Sequence, residues 1–260
     1  MRLHHWIAIL FLFAGALAPL VLGQAVQTGQ AQTAPAVPMP VRDPQAVILL
    51  SQALARLRSD PVAVSDVTLT ASATYTAGSD HETGTATLRA LGTAQSRVML
   101  NLDNGQREEV RNGVAGAWVG ADGAAHPMAT HNCWVDANWF YPLLTLEAAS
   151  ADPTISVTLA GQTTVNGEAV EDLILSRIVP HQGPAITIEI QKLSAVHLYL
   201  DASTLLPVEL DFNVHPDKNA NRDIPVGIQF SNYHAVSGVL VPFHIQKYLQ
   251  HSLLLDLQVS

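Results

Sequence analysis

The chain has 260 residues, of which 48% are hydrophobic and only 13% are charged, and its formal net charge is −9. This composition excludes a charge-rich disordered protein. It also excludes a protein that binds nucleic acid through the phosphate backbone, because 13 Lys and Arg stand against 22 Asp and Glu. The length fits one large all-β or α/β domain.

The N-terminal segment has the features of a secretory signal peptide. Arg2 precedes the uncharged stretch from Trp6 to Leu22, which small residues follow. This stretch is short for a membrane span of about 20 residues, so residues 1–25 are expected to be a cleaved signal peptide, with an uncleaved anchor as the alternative. The protein is therefore expected to be located in the periplasm or to be secreted from the cell. The only cysteine, Cys133, lies far from the mature N-terminus, which excludes lipid attachment there.

A linker and one helix are expected next. Residues 26–42 are rich in Gln, Ala and Pro, which predicts a disordered linker, and a single domain is expected over residues 43–260. Asp43 and Pro44 form a typical helix start, since the carboxylate can accept free backbone N–H groups and proline suits the first helical position. Apolar residues recur at i, i+3, i+4 and i+7 from Leu50, which predicts an amphipathic helix to about residue 57.

The rest of the domain is predicted to be mainly β, that is, mainly strands with few helices (α+β). Apolar and polar residues alternate from Val67 to Tyr75, and similar alternation marks 97–102, 155–159, 186–190, 196–200, 208–212 and 253–259. Four Asn-Gly or Asp-Gly pairs, at 104–105, 112–113, 122–123 and 166–167, indicate tight hairpins. The pattern predicts a curved antiparallel sheet of about ten strands that forms an incomplete β-barrel covered by the N-terminal helix.

An aromatic region interrupts the alternation. Trp118, Trp134 and Trp139 lie close together in sequence and are joined by Phe140 and Tyr141. Pro142 can then open a short apolar helix, which we interpret as a lid over a hydrophobic cavity. The residues expected to bind a ligand there are Trp118, Trp134, Trp139, Phe140, Tyr141, Leu143 and Leu146. The alternative is a plug that fills the open end of the barrel as ordinary core.

Patterns for catalysis, metals and cofactors are weak. His126, His131, Cys133 and Asp136 are zinc-type ligands, but their spacing matches no zinc template. Residues 217–223 place oxygen atoms as a calcium loop does, but they lack the glycine and the final glutamate of that loop. No nucleophile or nucleotide motif is present, and the adjacent carboxylates Glu108-Glu109 and Glu171-Asp172 face opposite sides of an extended chain. We therefore expect no metal, no cofactor and no enzymatic activity.

Two segments resemble a known family. Leu198–Val208 contains a strand, an Asp-containing turn, a proline and a returning strand, and Phe230–Phe243 contains an aromatic residue, Tyr233, a glycine hairpin and Pro242. Both are similar to the periplasmic lipoprotein-carrier superfamily, that is, LolA, LolB and RseB-like proteins. The layout of residues 43–259 resembles the family as a whole. The detailed matches are turn motifs, which indicate a fold more than an activity.

The resemblance implies an incomplete barrel around helices whose apolar interior holds acyl chains or other lipid-like ligands in transit between membranes. The partners expected on this basis are lipids or lipoprotein acyl chains, with transient contact to a membrane. A role specifically in lipoprotein transport does not follow from turn motifs. The alternative function is a non-enzymatic envelope sensor, or a module that binds an envelope protein on the same fold.

Overall fold

The computed structural model describes residues 38–59, 64–135, 137–179 and 182–260. All described residues belong to one compact unit. The predicted signal peptide and most of the predicted linker lie outside the described residues. Within those residues, no helix is both long enough and apolar enough to cross a membrane.

The domain is built on one antiparallel sheet of 13 strands rather than about ten. The order is β6-β5-β4-β3-β2-β1-β13-β12-β11-β10-β9-β8-β7, so the first strand pairs with the last and every other pair consists of chain neighbours. Strands β6 and β7 form two separate edges, and the predicted incomplete barrel is confirmed. The strands are β1 Asp66–Ala77, β2 Asp80–Leu91, β3 Gln95–Leu102, β4 Gly105–Asn112, β5 Ala115–Val119, β6 Ala125–Pro127, β7 Ile155–Val165, β8 Glu168–Arg177, β9 Val196–Asp201, β10 Pro207–Val214, β11 Ile224–Val236, β12 Val239–Leu249 and β13 Ser252–Val259.

Two helices cover the inner, apolar face of the sheet. Helix α1 spans Pro44–Leu57, as predicted, and the Asp43 carboxylate accepts hydrogen bonds from the backbone N–H groups of Gln45 and Ala46 at 2.8 and 3.1 Å. Its buried stripe contains Leu50, which is 1% exposed. Helix α2 spans Pro142–Ala151 and contacts α1 and β7. Its leucines lie in the same hydrophobic core as those of the strands, which extends over the inner face.

The junction of the sheet edge and the helices is held by hydrogen bonds. Strand β7 gains a short parallel partner at residues 41–43, which cover part of this edge. The Arg42 guanidinium donates to the carbonyl oxygens of Ala149, Asp152 and Ile155, at 2.9, 3.4 and 3.2 Å. The first two carbonyls lie at the end of α2, where the helix dipole favours a cation, and the third belongs to the first residue of β7. Glu147 of α2 forms an ion pair with Arg58, directly after α1.

One predicted strand is wrong. The segment 186–190 lies within helix α3, Pro184–Leu193, although its alternation suggested a strand. Pro184 occupies the first helical turn, and the buried positions Thr187, Ile190 and Leu193 recur every three residues, which is a helical spacing. Ile186 and Ile188 are exposed. Ile186 and Ile188 therefore lie on the solvent side of a helix, although the alternation of β-branched isoleucines in this segment resembles that of a half-buried strand.

The two segments that resemble the carrier family meet in the structure. Asp201 Oδ1 accepts hydrogen bonds from the backbone N–H and the hydroxyl groups of Ser203 and Thr204, which closes the turn between β9 and β10. The Tyr233 hydroxyl donates to the Pro207 carbonyl oxygen at 2.7 Å. The tyrosine of the second segment is thus hydrogen-bonded to the proline of the first.

One of the predicted hairpins has the expected turn geometry. Asn166-Gly167 has positive φ at both residues, 50° and 89°, as a type I′ turn requires.

We expect Arg42→Met to destabilise the domain by about 1–3 kcal/mol, because two carbonyls at the end of α2 and one at the start of β7 lose a charged donor. Arg56→Met is the matched control, since Arg56 is exposed on α1. Urea denaturation followed by circular dichroism measures both free energies of unfolding. Equal stability of the two variants would contradict this role of Arg42.

Candidate ligand cavity

Two adjoining cavities lie on the inner face of the sheet. The larger inner cavity has a volume of 250 Å³ and the smaller inner cavity one of 160 Å³. Glu109, Trp118, Trp139 and Lys247 line both, so the two spaces share a wall. The larger is also lined by Tyr75, Val98, Leu100, Arg107, Glu108, Val119, Gly120, Leu254 and Leu255, and the smaller by Arg111, Met128, Asn132, Val135, Phe212, Val214 and Asp217.

Strand alternation explains the apolar wall of the larger inner cavity. Val98 and Leu100 on β3 are buried, while Met99 between them points to the other face. Arg107 adds a charge to this wall, but its guanidinium donates two hydrogen bonds to the buried Glu82 carboxylate, at 2.9 and 2.5 Å. These bonds hold the pKa of Glu82 below its usual value. The cation of Arg107 is thus neutralised by its own partner, and the cavity remains mainly apolar.

The three predicted tryptophans all line cavities, but not the same one. Trp118 is 42% exposed, and its ring stacks on His126 with the ring centroids 4.2 Å apart. Trp139 is only 3% exposed and lies deeper in the same inner cavities. Trp134 lines a separate apolar cavity of 180 Å³ beside α2, together with Cys133. Val135 borders this cavity as well as the smaller inner one.

The other four predicted ligand residues lie in the core. Phe140, Tyr141, Leu143 and Leu146 are at most 3% exposed and belong to the continuous core cluster, and none of them lines the three apolar cavities described above. Burial raises the pKa of Tyr141 to about 12. Contact between these four residues and a ligand stays a prediction, whereas the tryptophans are already at cavity walls.

Sequence reasoning missed the charged residues of the smaller inner cavity. Lys247 on β12 pairs across the sheet with the buried core residues Ile228 and Leu255, so its side chain is on the inner face. Burial lowers the pKa of Lys247, while the charge of Glu109 opposes this effect. Arg111 on β4 lines the same cavity. A single lysine in an alternating strand gives no signal that it faces inward among apolar residues.

The outer face of the sheet carries a polar cavity of 640 Å³. Glu209 and Asp211 on β10 line it, with side chains on the face opposite to the buried Leu210. Next to them, His197 Nδ1 lies 3.0 Å from the Asp172 carboxylate. Gly227 lies opposite this pair, and an added Cβ would be 3.0 Å from Asp211 Oδ1, so that carboxylate would have to shift to admit a side chain. The other lining residues include Tyr199, Gln229, Tyr248 and His251.

The Glu209 and Asp211 carboxyl groups compete for ionisation. Burial, followed by the charge of Asp211, raises the pKa of Glu209 to about 7, and burial also raises the pKa of Asp211. Two carboxylates held so close favour a state in which one keeps its proton. Their spacing of two residues on a strand is a signal that the sequence contains, since it places both on one face.

The segments with metal-type ligands have other roles in the structure. His131 Nε2 lies 3.2 Å from the Pro216 carbonyl oxygen, and the Cys133 thiol is buried. Asp136 lies outside the described residues. Asp223, at the end of the calcium-like segment, pairs with Lys192 at 3.4 Å and with His215 at 3.1 Å. Within the described ranges no group of three or more His, Cys, Asp or Glu side chains is arranged to hold a metal ion.

Comparison with known proteins gives a likeness of fold. No family model and no curated protein matches the sequence. A LolA superfamily protein from Nitrosomonas europaea superposes with a TM-score of 0.48 at 14% identity, covering 83% of this chain and 91% of that chain. An outer membrane lipoprotein-sorting protein domain from Vibrio parahaemolyticus gives 0.48 at 13% identity, covering 83% and 90%. At these identities and TM-scores, neither structure assigns a family or an activity to the chain.

The pKa of Glu209 predicts a pH-dependent stability. Between about pH 4.5 and about pH 7 the folded protein holds a proton that the unfolded chain releases, so this group makes stability fall as the pH rises through that window. Glu209→Gln removes the effect. We expect the variant to gain on the order of 1–2 kcal/mol over the wild type on going from about pH 5 to about pH 8, a value reduced for partial exposure.

Denaturant unfolding at the two pH values measures this difference. Glu168→Gln is the control, because Glu168 is exposed at the start of β8. A Glu209→Gln protein that follows the pH profile of the wild type would show that the carboxyl pair does not store a proton in the folded state.

Proposed function

We propose that the protein is an exported envelope protein that binds an acyl chain of a lipid or lipoprotein in the larger inner cavity, without catalysis. The observation that carries this proposal is the 250 Å³ cavity on the inner face of the sheet, with Val98, Leu100 and Leu255 in its wall. Trp118 lies half-exposed at the same cavity. A chain entering there would replace contact with water by contact with these side chains.

The energetics of a hydrocarbon ligand agree with such a wall. Each buried methylene group contributes about 0.8 kcal/mol, so a chain segment of several carbons offsets a substantial part of the entropy lost on binding. Arg107, which is one of the charged groups of this cavity, is neutralised by Glu82. A hydrocarbon chain beside Val98 and Leu100 therefore meets a guanidinium that already has its carboxylate partner, and burying the chain there does not leave Arg107 without that partner.

Export rests on the N-terminal sequence. The charge-free stretch from Trp6 to Leu22 is followed by small residues, as in a signal peptide. The resemblance of the segments around Asp201 and Tyr233 to the lipoprotein carriers supports a role between the membranes of an envelope. Carriage of lipoproteins or lipids towards an outer membrane is the fullest form of this proposal.

A second candidate function is a module that binds an envelope protein. The 640 Å³ polar cavity on the outer face favours it, since Glu209, Asp211 and His197 there could receive a basic segment of a partner. Such a module does not require the inner cavities to admit a ligand. Lipid binding therefore separates the two functions.

The lipid proposal predicts quenching of tryptophan fluorescence. A brominated fatty acid or phospholipid in the larger inner cavity must come near Trp118 and Trp139, so quenching should be saturable. Trp134→Phe should keep most of it, because Trp134 lines another cavity, and Trp118→Phe should reduce it. Added salt should change the affinity little if hydrocarbon burial drives binding.

Val98→Phe tests the location of the chain by filling the cavity with an aromatic ring, and we expect it to weaken binding about tenfold or more. Met99→Phe is the matched control on the outer side of the same strand. The absence of saturable quenching by any of these lipids, in a folded protein, would favour the protein-binding module. Equal effects of both phenylalanine variants would place the ligand elsewhere.

A further inference from the structure

Lys247 carries a positive charge into the inner cavities without a carboxylate partner. Its Nζ lies 4.3 Å from the centre of the Trp139 ring, over the face of the indole. No carboxylate oxygen of the described residues lies within 4.0 Å of this nitrogen. The contact with the ring stabilises the ammonium in part, but it supplies no hydrogen-bond acceptor for its three protons.

Two further donors at this place lack an acceptor. Trp139 Nε1 and Arg111 Nε are both buried and make no hydrogen bond. Their side chains are only 3% and 4% exposed, so water reaches them poorly. An unpaired buried donor is unfavourable by roughly 1–3 kcal/mol, and folded proteins keep few of them. Both residues line the smaller inner cavity together with Lys247.

The carboxylates near this cavity do not remove the excess of donors. Glu109 Oε1 is 3.9 Å from Arg111 Nη1, which is too long for a hydrogen bond, and Glu109 is partly exposed. Arg111 Nη2 instead donates to the Val135 carbonyl oxygen at 3.1 Å. Asp217, which also lines the cavity, is an exposed residue of the segment between β10 and β11. The buried part of the smaller inner cavity therefore presents donors of positive or neutral charge.

We propose that the smaller inner cavity binds the anionic head of a single-chain amphiphile whose hydrocarbon chain occupies the larger inner cavity. Lys247 would form the ion pair, and Trp139 Nε1 and Arg111 Nε would donate hydrogen bonds to the same head group. A carboxylate or a phosphate monoester has the acceptor oxygens for this set. The proposal rests on lipid binding in the larger inner cavity and adds the chemical class of the ligand.

The test compares three amphiphiles with the same chain: dodecanoate, dodecyl phosphate and dodecanol. Isothermal titration calorimetry measures their affinities for the wild type. An anion should bind about ten- to a hundredfold more tightly than the alcohol, as expected when a buried charge gains a charged partner. Tighter binding of dodecanoate would identify a carboxylate head, and tighter binding of dodecyl phosphate a phosphate ester.

Lys247→Met should remove this preference while binding of dodecanol is kept, because methionine retains the apolar part of the side chain. Lys247→Arg should restore it. Lys192→Met is the matched control, since Lys192 is an exposed lysine on α3 and pairs with Asp223.

A second experiment uses the wild-type protein: its lysines are acetylated, and mass spectrometry measures how much each one has reacted. Dodecanoate or dodecyl phosphate should protect Lys247 but not Lys192, and dodecanol should protect neither.

The outcomes separate this proposal from the function on which it rests. Equal affinity of the wild type for all three amphiphiles would overturn the anionic head and leave acyl-chain binding in place. A preference for anions that Lys247→Met does not change, or the absence of protection at Lys247, would also overturn it. Failure of all three amphiphiles to bind would overturn both proposals.

Discussion

A single open sheet has to bury one apolar face without a second sheet to cover it. Here the 13 strands curve around α1 and α2, which supply the missing hydrophobic surface. Helix α1 needs only a stripe of buried residues, whereas α2 is apolar on nearly all sides and has to lie inside. The Arg42 contacts at the end of α2 and the ion pair between Arg58 and Glu147 hold this arrangement at the β7 edge. Cavities remain where the helices do not fill the curve.

The strands could be predicted from the sequence because alternation is a local property. Every segment read as a strand is one, except 186–190, where Pro184 and a three-residue spacing of buried positions override the local pattern. One strand that the pattern does not reveal is β4, because it carries charged residues at consecutive positions, Arg107, Glu108 and Glu109, and therefore offers no alternation of apolar and polar residues. The fold class can therefore be predicted from local alternation, but the number of strands cannot, because a strand without alternation is recognised only by its pairing with other strands.

The candidate site could be predicted only in part. The tryptophan cluster marks a region that contains cavities, because Trp118 and Trp139 line both inner cavities, but the sequence does not show that Trp134 lines a different cavity. Lys247 is more than 100 residues from Trp139, and only the pairing of β12 with β11 and β13 brings the two together. Glu209 and Asp211 are different, because their spacing on one strand already places them on one face.

The two faces of the sheet differ in charge, since several acidic residues lie on the outer face and the cations Lys247 and Arg111 line an inner cavity. Asp172, Glu209, Asp211 and Asp256 all lie on the outer face, in a chain whose net charge is −9. Inside the curve, Lys247 and Arg111 lie among apolar side chains, where a Coulomb interaction is stronger than in water. If the proposed anionic amphiphile binds, its head group would therefore interact with these two cations in the interior and not with the acidic outer face.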